Sequence, residues 1–187
     1  MPKANTIIDS SVLELLRSGD QQAFEQVYLC YAIPVKHFLS ALVRSEKTGE
    51  KLTQDVFVLL WERRNRIVPE NNISSYLYTI AKRCALKHFE KSKKLPPDLI
   101  AQGDVGEHIA PDEIRIRKEK EILIRIAVSQ MPPQRGKTYR MYRKEGLTGG
   151  EIANRLRLSE DTVDNHLILA QKDLREILTL FLMLVMN

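Results

Sequence analysis

The chain has 187 residues, room for one domain or two small ones that each need a core. Hydrophobic residues make up 43%, charged residues 28% and aromatic residues only 6%, with 8 Gly, a balance that fits a soluble and mostly helical globular protein. The net charge of +5 and the pI near 9.2 suit an anionic partner, although a small basic excess is also what an ordinary solvated surface carries. Cys30 and Cys84 lie far apart with no His at ligand spacing, so neither a disulfide framework nor a zinc site is expected, and a reducing cytoplasm fits. The opening MPKANTIIDSSV lacks the basic-then-apolar order of a secretory signal. The most apolar stretch, ILTLFLMLV from Ile177 to Val185, falls well short of the roughly 20 residues a bilayer crossing needs. It reads as a buried C-terminal helix, with no membrane insertion.

In chain order, the first amphipathic segment follows Asp20, a natural N-cap. Phe24, Val27, Tyr28, Tyr31, Val35, Phe38, Leu39 and Leu42 then form one helical face, with a kink expected at Pro34. A second helix is expected from about Thr48 to Arg64 with Leu52, Val56, Phe57, Leu60 and Trp61 inward, followed by the aperiodic loop RRNRIVPENN. A third begins near Ser74, buries Ile73, Leu77, Ile80, Ala81 and Cys84, and runs into the basic KHFEKSKK. No strand-like alternation occurs in this half.

Residues 94–112, KLPPDLIAQGDVGEHIAPD, combine Pro and Gly with one basic against four acidic side chains and read as a flexible linker. On either side lie basic blocks, residues 10–93 and 113–187, and the first 93 residues and the last 75 each carry 14 basic and 10 acidic side chains. After Asp112, another N-cap, a helix carries Ile114, Ile122, Leu123, Ile126 and Ala127 until MPPQ breaks it, and Pro132 and Pro133 are placed to start the next.

Thr148 and Glu151 then match a capping box, opening a short helix that buries Ile152, Ala153 and Leu156. A turn of about three residues leads to a helix capped by Ser159, with Val163, Leu167, Ala170 and Leu174 inward. This is a helix-turn-helix. Its outer face keeps Asp161, Thr162, Asp164, Asn165, His166, Gln171 and Lys172, groups able to hydrogen-bond base edges in a major groove. A solvated face of an ordinary helical bundle has the same periodicity, and the two carboxylates oppose a phosphate backbone. The fold class that emerges is all-α, two small helical domains joined by a flexible linker, the second containing the helix-turn-helix.

The stretch PPQRGKTYRMYRKEGLTGGEIANRLRLSEDTVDNHLILAQKDLR resembles region 4 of the extracytoplasmic function group of bacterial RNA polymerase sigma factors, in the order and spacing of PPQR, EGLT, EIA and the TV, NH and LR positions. LTQDVFVLLWERR resembles region 2.2 of that group, and ISSYLYTIAKRCALKHFEK its promoter-melting helix. The likeness runs from about Phe24 to Arg175, with region 2 in residues 10–93 and region 4 in residues 113–187. Gly136 stands where the family usually has a charged residue, Gly149 and Gly150 replace longer polar residues, and the apolar tail beyond Leu178 exceeds the family pattern.

The resemblance implies a transcription initiation factor that binds core RNA polymerase, directs it to promoters and promotes melting. Polymerase docking would fall on Asp55, Leu59, Glu62 and Arg63. Capture of the melted non-template strand would fall on Asn71 and Asn72 in the loop and on Tyr76, Thr79, Lys82, Arg83 and Lys87 of the melting helix. Tyr76, Thr79, Arg83 and Lys87 share a face on which aromatic and basic groups alternate, suited to stacking a base and pairing its phosphates. Asn72 serves equally well as a helix cap. Double-stranded upstream DNA would meet Thr148, Ser159, Asp161, Thr162, Asn165, His166 and Lys172. An anti-sigma factor is a further partner of such proteins. No catalytic constellation and no cofactor motif is found, so the chain should act by binding. A free-standing DNA-binding regulator and a helical adaptor are the competing classes.

Overall fold

The computed structural model describes residues 8–92, 94–95, 99 and 113–186, with side chains of the last segment from Arg115. The described residues form eight α-helices and one short 3-10 turn, without strands: α1 Ser10–Ser18, α2 Gln21–Val43, α3 Glu46–Glu62, α4 Ile73–Lys91, α5 Glu113–Ser129, α6 Pro133–Glu145, α7 Gly149–Leu156 and α8 Glu160–Val185. The linker expected over residues 94–112 lies almost wholly outside the described residues, as do Asp112 and the Ile114 side chain. Leu95 and Leu99 are buried.

Local chemistry sets the boundaries. Asp9, Asp20, Ser45, Asn72, Thr148 and Ser159 each accept a backbone N–H from the first turn of the helix they precede. Ser45 caps α3, which starts at Glu46, two residues ahead of the expected start at Thr48. The helix α2 is a single segment that includes Pro34. The helix α1, which periodicity had not revealed, ends on Gly19 at φ 96°, a left-handed conformation glycine adopts without a Cβ clash. The capping box at Thr148 is complete: its N–H donates to Glu151 Oε2 at 2.8 Å, and the Glu151 N–H donates to its hydroxyl at 3.3 Å.

The helices α2 and α3 pack antiparallel in an interface rich in aromatics, with Phe24 against Trp61 at 5.3 Å and Tyr28 against Phe57 at 4.8 Å. Gly49 is where they come closest: a Cβ there would lie 2.1 Å from Ser40 Oγ and 2.6 Å from its Cα. Two apolar cores result. The smaller, Met141, Ile152, Ala153 and Val163 with Leu147, Leu156, Leu158 and Leu167 packed on it, belongs to the helix-turn-helix. The larger joins the two halves of the chain, because α8, 26 residues long, extends beyond the helix-turn-helix and buries Ala170, Leu174, Ile177, Phe181, Leu184 and Val185 among α2, α4 and α5. The apolar C-terminal stretch is therefore the buried helix end its length implied.

Candidate nucleic-acid interface

In the second half, the exposed side chains of α8 up to Lys172 are Glu160, Asp161, Asp164, Asn165, Ile168, Gln171 and Lys172. Asp161, Asn165, Ile168 and Lys172 follow steps of four, three and four, one stripe along the helix. Ile168 was not foreseen. It is 64% exposed at the centre of a polar stripe, an apolar surface of the kind that meets a thymine methyl. Thr148 and Ser159 are occupied as caps, and the Ser159 and Thr162 hydroxyls lie 2.8 Å apart. His166 is not on the outer stripe. It is half-buried with Nδ1 3.5 Å from the hydroxyl of buried Thr138 on α6, so its ring edge is turned toward the domain interior.

Beside the turn, an open groove of about 310 Å³ is lined by Pro133, Gln134, Lys137, Arg155, Leu156 and Arg157. Arg157 holds φ 55°, a left-handed conformation that costs a non-glycine residue about 1–2 kcal/mol. Arg157 is the C-cap of α7, as Arg44, at φ 56°, is of α2. Lys137, Arg155 and Arg157 line the groove with three cationic side chains, of which Arg155 is paired with Glu145 of α6 at 3.0 Å. Sequence reasoning missed them because Lys137 on α6 lies 18 residues before Arg155 at the end of α7.

In the first half, Asn72 is the α4 cap: its Oδ1 accepts the Ser74 N–H at 2.8 Å and the Ser75 N–H at 3.4 Å. Asn71 is exposed beside it. Along α4, Lys87 is exposed and Tyr76 and Arg83 are half-buried. Thr79 and Lys82 are not surface groups: Thr79 is 8% exposed and donates to the Ser75 carbonyl, and Lys82 is 4% exposed and pairs with Glu119 of α5 at 2.6 Å. Of the residues on α3, Asp55 and Glu62 are exposed with Val58, which is 56% exposed between them, while Arg63 is half-buried and Leu59 packs against the core.

The chain was compared with known proteins. A family model, Sigma-70 region 2, matches residues 27–95, the span of α2 to α4. The RNA polymerase sigma-H factor of Pseudomonas aeruginosa is 21% identical over 174 residues, covering 88% of this chain and 90% of that protein. The ECF RNA polymerase sigma factor RpoE of Cereibacter sphaeroides is 24% identical over 160 residues, covering 79% and 88%. The chain thus carries a match to Sigma-70 region 2 over residues 27–95 and is similar over most of its length to sigma factors of the extracytoplasmic function type. A solved structure of CnrH in complex with the cytosolic domain of CnrY covers 92% of this chain and 98% of its own chain, at 18% identity and a TM-score of 0.43.

The match to Sigma-70 region 2 and the likeness to these factors support a role in transcription initiation. The described residues hold no cluster of three His, Cys, Asp or Glu side chains arranged for a metal ion. The helix α2 is long and apolar enough to cross a membrane by length and composition. Val27, Val35, Phe38, Leu39 and Leu42 of that helix are nevertheless fully or almost fully buried in the protein core.

Proposed function

We propose that this sigma factor binds core RNA polymerase in the cytoplasm through the exposed ridge of α3, reads an upstream promoter element with α8 and engages the melted downstream element with α4 and the loop before it. The observation that carries the reading is the α8 stripe: an amide donor and acceptor at Asn165, an apolar patch at Ile168 and a cation at Lys172, standing beside the basic groove of Lys137, Arg155 and Arg157. The residues beside the groove supply phosphate contacts that orient the domain, and Asn165 and Ile168 supply base contacts that specify sequence. An anti-sigma factor belongs to the same reading, as a protein that covers the α3 ridge or the DNA-facing helices. Binding, not bond-making, is the activity, and no cofactor takes part.

The test is polymerase holoenzyme titrated onto promoter fragments with an intact or a scrambled upstream element. Asn165→Ala should lose about 1–3 kcal/mol on the intact element and much less on the scrambled one. Lys172→Ala should weaken binding to both alike and lower the salt slope by about one. Equal losses for Asn165→Ala on the two fragments would mean that α8 does not read bases.

A further inference from the structure

Base edges in the major groove differ in what they donate and accept. Guanine offers two acceptors, cytosine a single amino donor, adenine an acceptor beside a donor, and thymine an acceptor beside a methyl group. The stripe on α8 that could meet such edges, Asp161, Asn165, Ile168 and Lys172, is exposed throughout. From Asp161 to Ile168 it rises about 10 Å, the height of about three base steps. Two other acids of the same helix do not share it. Glu160 Oε1 lies 3.2 Å from where a Cβ on Gly150 would stand, and Asp164 Oδ1 lies 3.4 Å from where one on Gly149 would stand, so both carboxylates lean over the first turn of α7. His166 turns to Thr138, and Lys137, Arg155 and Arg157 line the groove beside the turn. The stripe's own cation, Lys172, stands about 6 Å further along the axis than Ile168.

Along the stripe, therefore, a carboxylate, an amide and an alkyl group follow one another, with an ammonium group beyond them. A carboxylate accepts and cannot donate. It is repelled by both guanine acceptors and by the thymine carbonyl, and it is matched best by the cytosine amino group, which has no acceptor beside it. An amide donates and accepts, which is the pattern of adenine, and an alkyl group gains only from the thymine methyl. Guanine is the base that Arg or Lys reads, and no cation stands among the first three positions. We infer that, from the N-terminus of α8 onward, the stripe selects cytosine through Asp161, adenine through Asn165 and thymine through Ile168 on neighbouring base pairs, and that none of the three selects guanine. This rests on the role proposed above for α8 and adds which bases the upstream element holds.

The test is selection from a pool of randomised duplexes by holoenzyme assembled from the full chain and core RNA polymerase, with the bound fraction sequenced. The wild-type chain should enrich an upstream element in which one C·G pair lies next to two A·T pairs. Asp161→Asn should turn the C·G pair into A·T, and Asn165→Asp should turn the middle A·T pair into C·G, each at its own position and without changing the downstream element. Both side chains are exposed, so the exchanges leave the fold in place. On the enriched sequence, uracil in place of the contacted thymine removes only the methyl group. It should weaken binding about fourfold for the wild type, the worth of one buried methyl, and not at all for Ile168→Ala. Replacing the contacted adenine by 2-aminopurine takes the amino donor out of the major groove, and should cost the wild type roughly five- to 150-fold and Asn165→Ala much less. More than one G·C pair at the three positions, or variants that change affinity without moving the preferred base, would overturn the assignment while leaving the proposed function standing. A holoenzyme that enriches no upstream element, or a chain that does not assemble with polymerase, would count against the proposed function and take the assignment with it.

Discussion

At Glu119 one buried carboxylate oxygen accepts from a phenol and an ammonium group at once, and the three residues concerned come from α4 and α5. Tyr78, fully buried, has its phenol held well above the usual tyrosine range, first by desolvation and then by the neighbouring Glu119 charge, so it stays a donor at every physiological pH. Removing one member of a buried ion pair leaves the other charge uncompensated, at a cost of about 3–5 kcal/mol, whereas removing both charges is close to neutral. Glu119→Gln should therefore destabilise the protein by about that amount in urea unfolding. Adding Lys82→Met should recover most of the loss, since the amide oxygen that replaces the carboxylate can still accept from Tyr78. Strictly additive losses in the double variant would show that the two charges do not depend on each other. None of this was legible in the sequence: Lys82 and Glu119 are 37 residues apart, and each has the look of an ordinary solvated charge.

At the scale of single elements, the two places where glycine departs from the family pattern have different physical meanings. Gly136, early in α6, faces the end of α5: a Cβ there would lie 2.9 Å from the Val128 carbonyl, a backbone atom that cannot move alone. A charged residue would not fit without separating the helices. Gly150, in the first turn of α7, would bring a Cβ to 3.2 Å only from the carboxylate end of Glu160, an exposed side chain that can swing away. Gly136→Ala should cost about 1–3 kcal/mol through overpacking, while Gly150→Ala should gain up to about 1 kcal/mol from helix propensity. Urea denaturation of the two variants checks the contrast, and equal effects would mean that the close approach at Val128 does not matter. Caps and helix starts were the most legible features, because Asp20, Thr148, Glu151 and Ser159 act within three residues of where they stand. The orientation of His166 was not, because a half-buried position on α8 differs from an exposed one only through the presence of Thr138 on another helix.

For the whole molecule, periodicity identified the inner stripe of α4 correctly in Ile73, Leu77, Ile80, Ala81 and Cys84, yet Tyr78, Thr79, Lys82, Ala85, Leu86 and Phe89 are buried as well. A helix covered on more than one side needs partners from elsewhere in the chain, and here α8 packs on it beside α2 and α3 while Glu119 of α5 bonds Tyr78 and Lys82. The apolar residues at Tyr78, Ala85, Leu86 and Phe89, outside the stripe, were the available signal that α4 is apolar nearly all round. The domain boundaries drawn at residues 94–112 remain a proposal about units of function; in the structure the halves share a hydrophobic core. The α3 ridge, the α4 face and the α8 stripe have to act on one promoter at once for the functional account to hold. Reconstituted transcription with core polymerase and a pool of bacterial promoter fragments tests this most directly. The account predicts promoter-dependent transcripts that appear only when the factor is added, and that decline when Tyr76 is replaced by Ala, with permanganate reactivity at the start site declining in step. Transcription from the same fragments at the same level without the factor, or binding of the factor to DNA with no initiation by the polymerase, would contradict it.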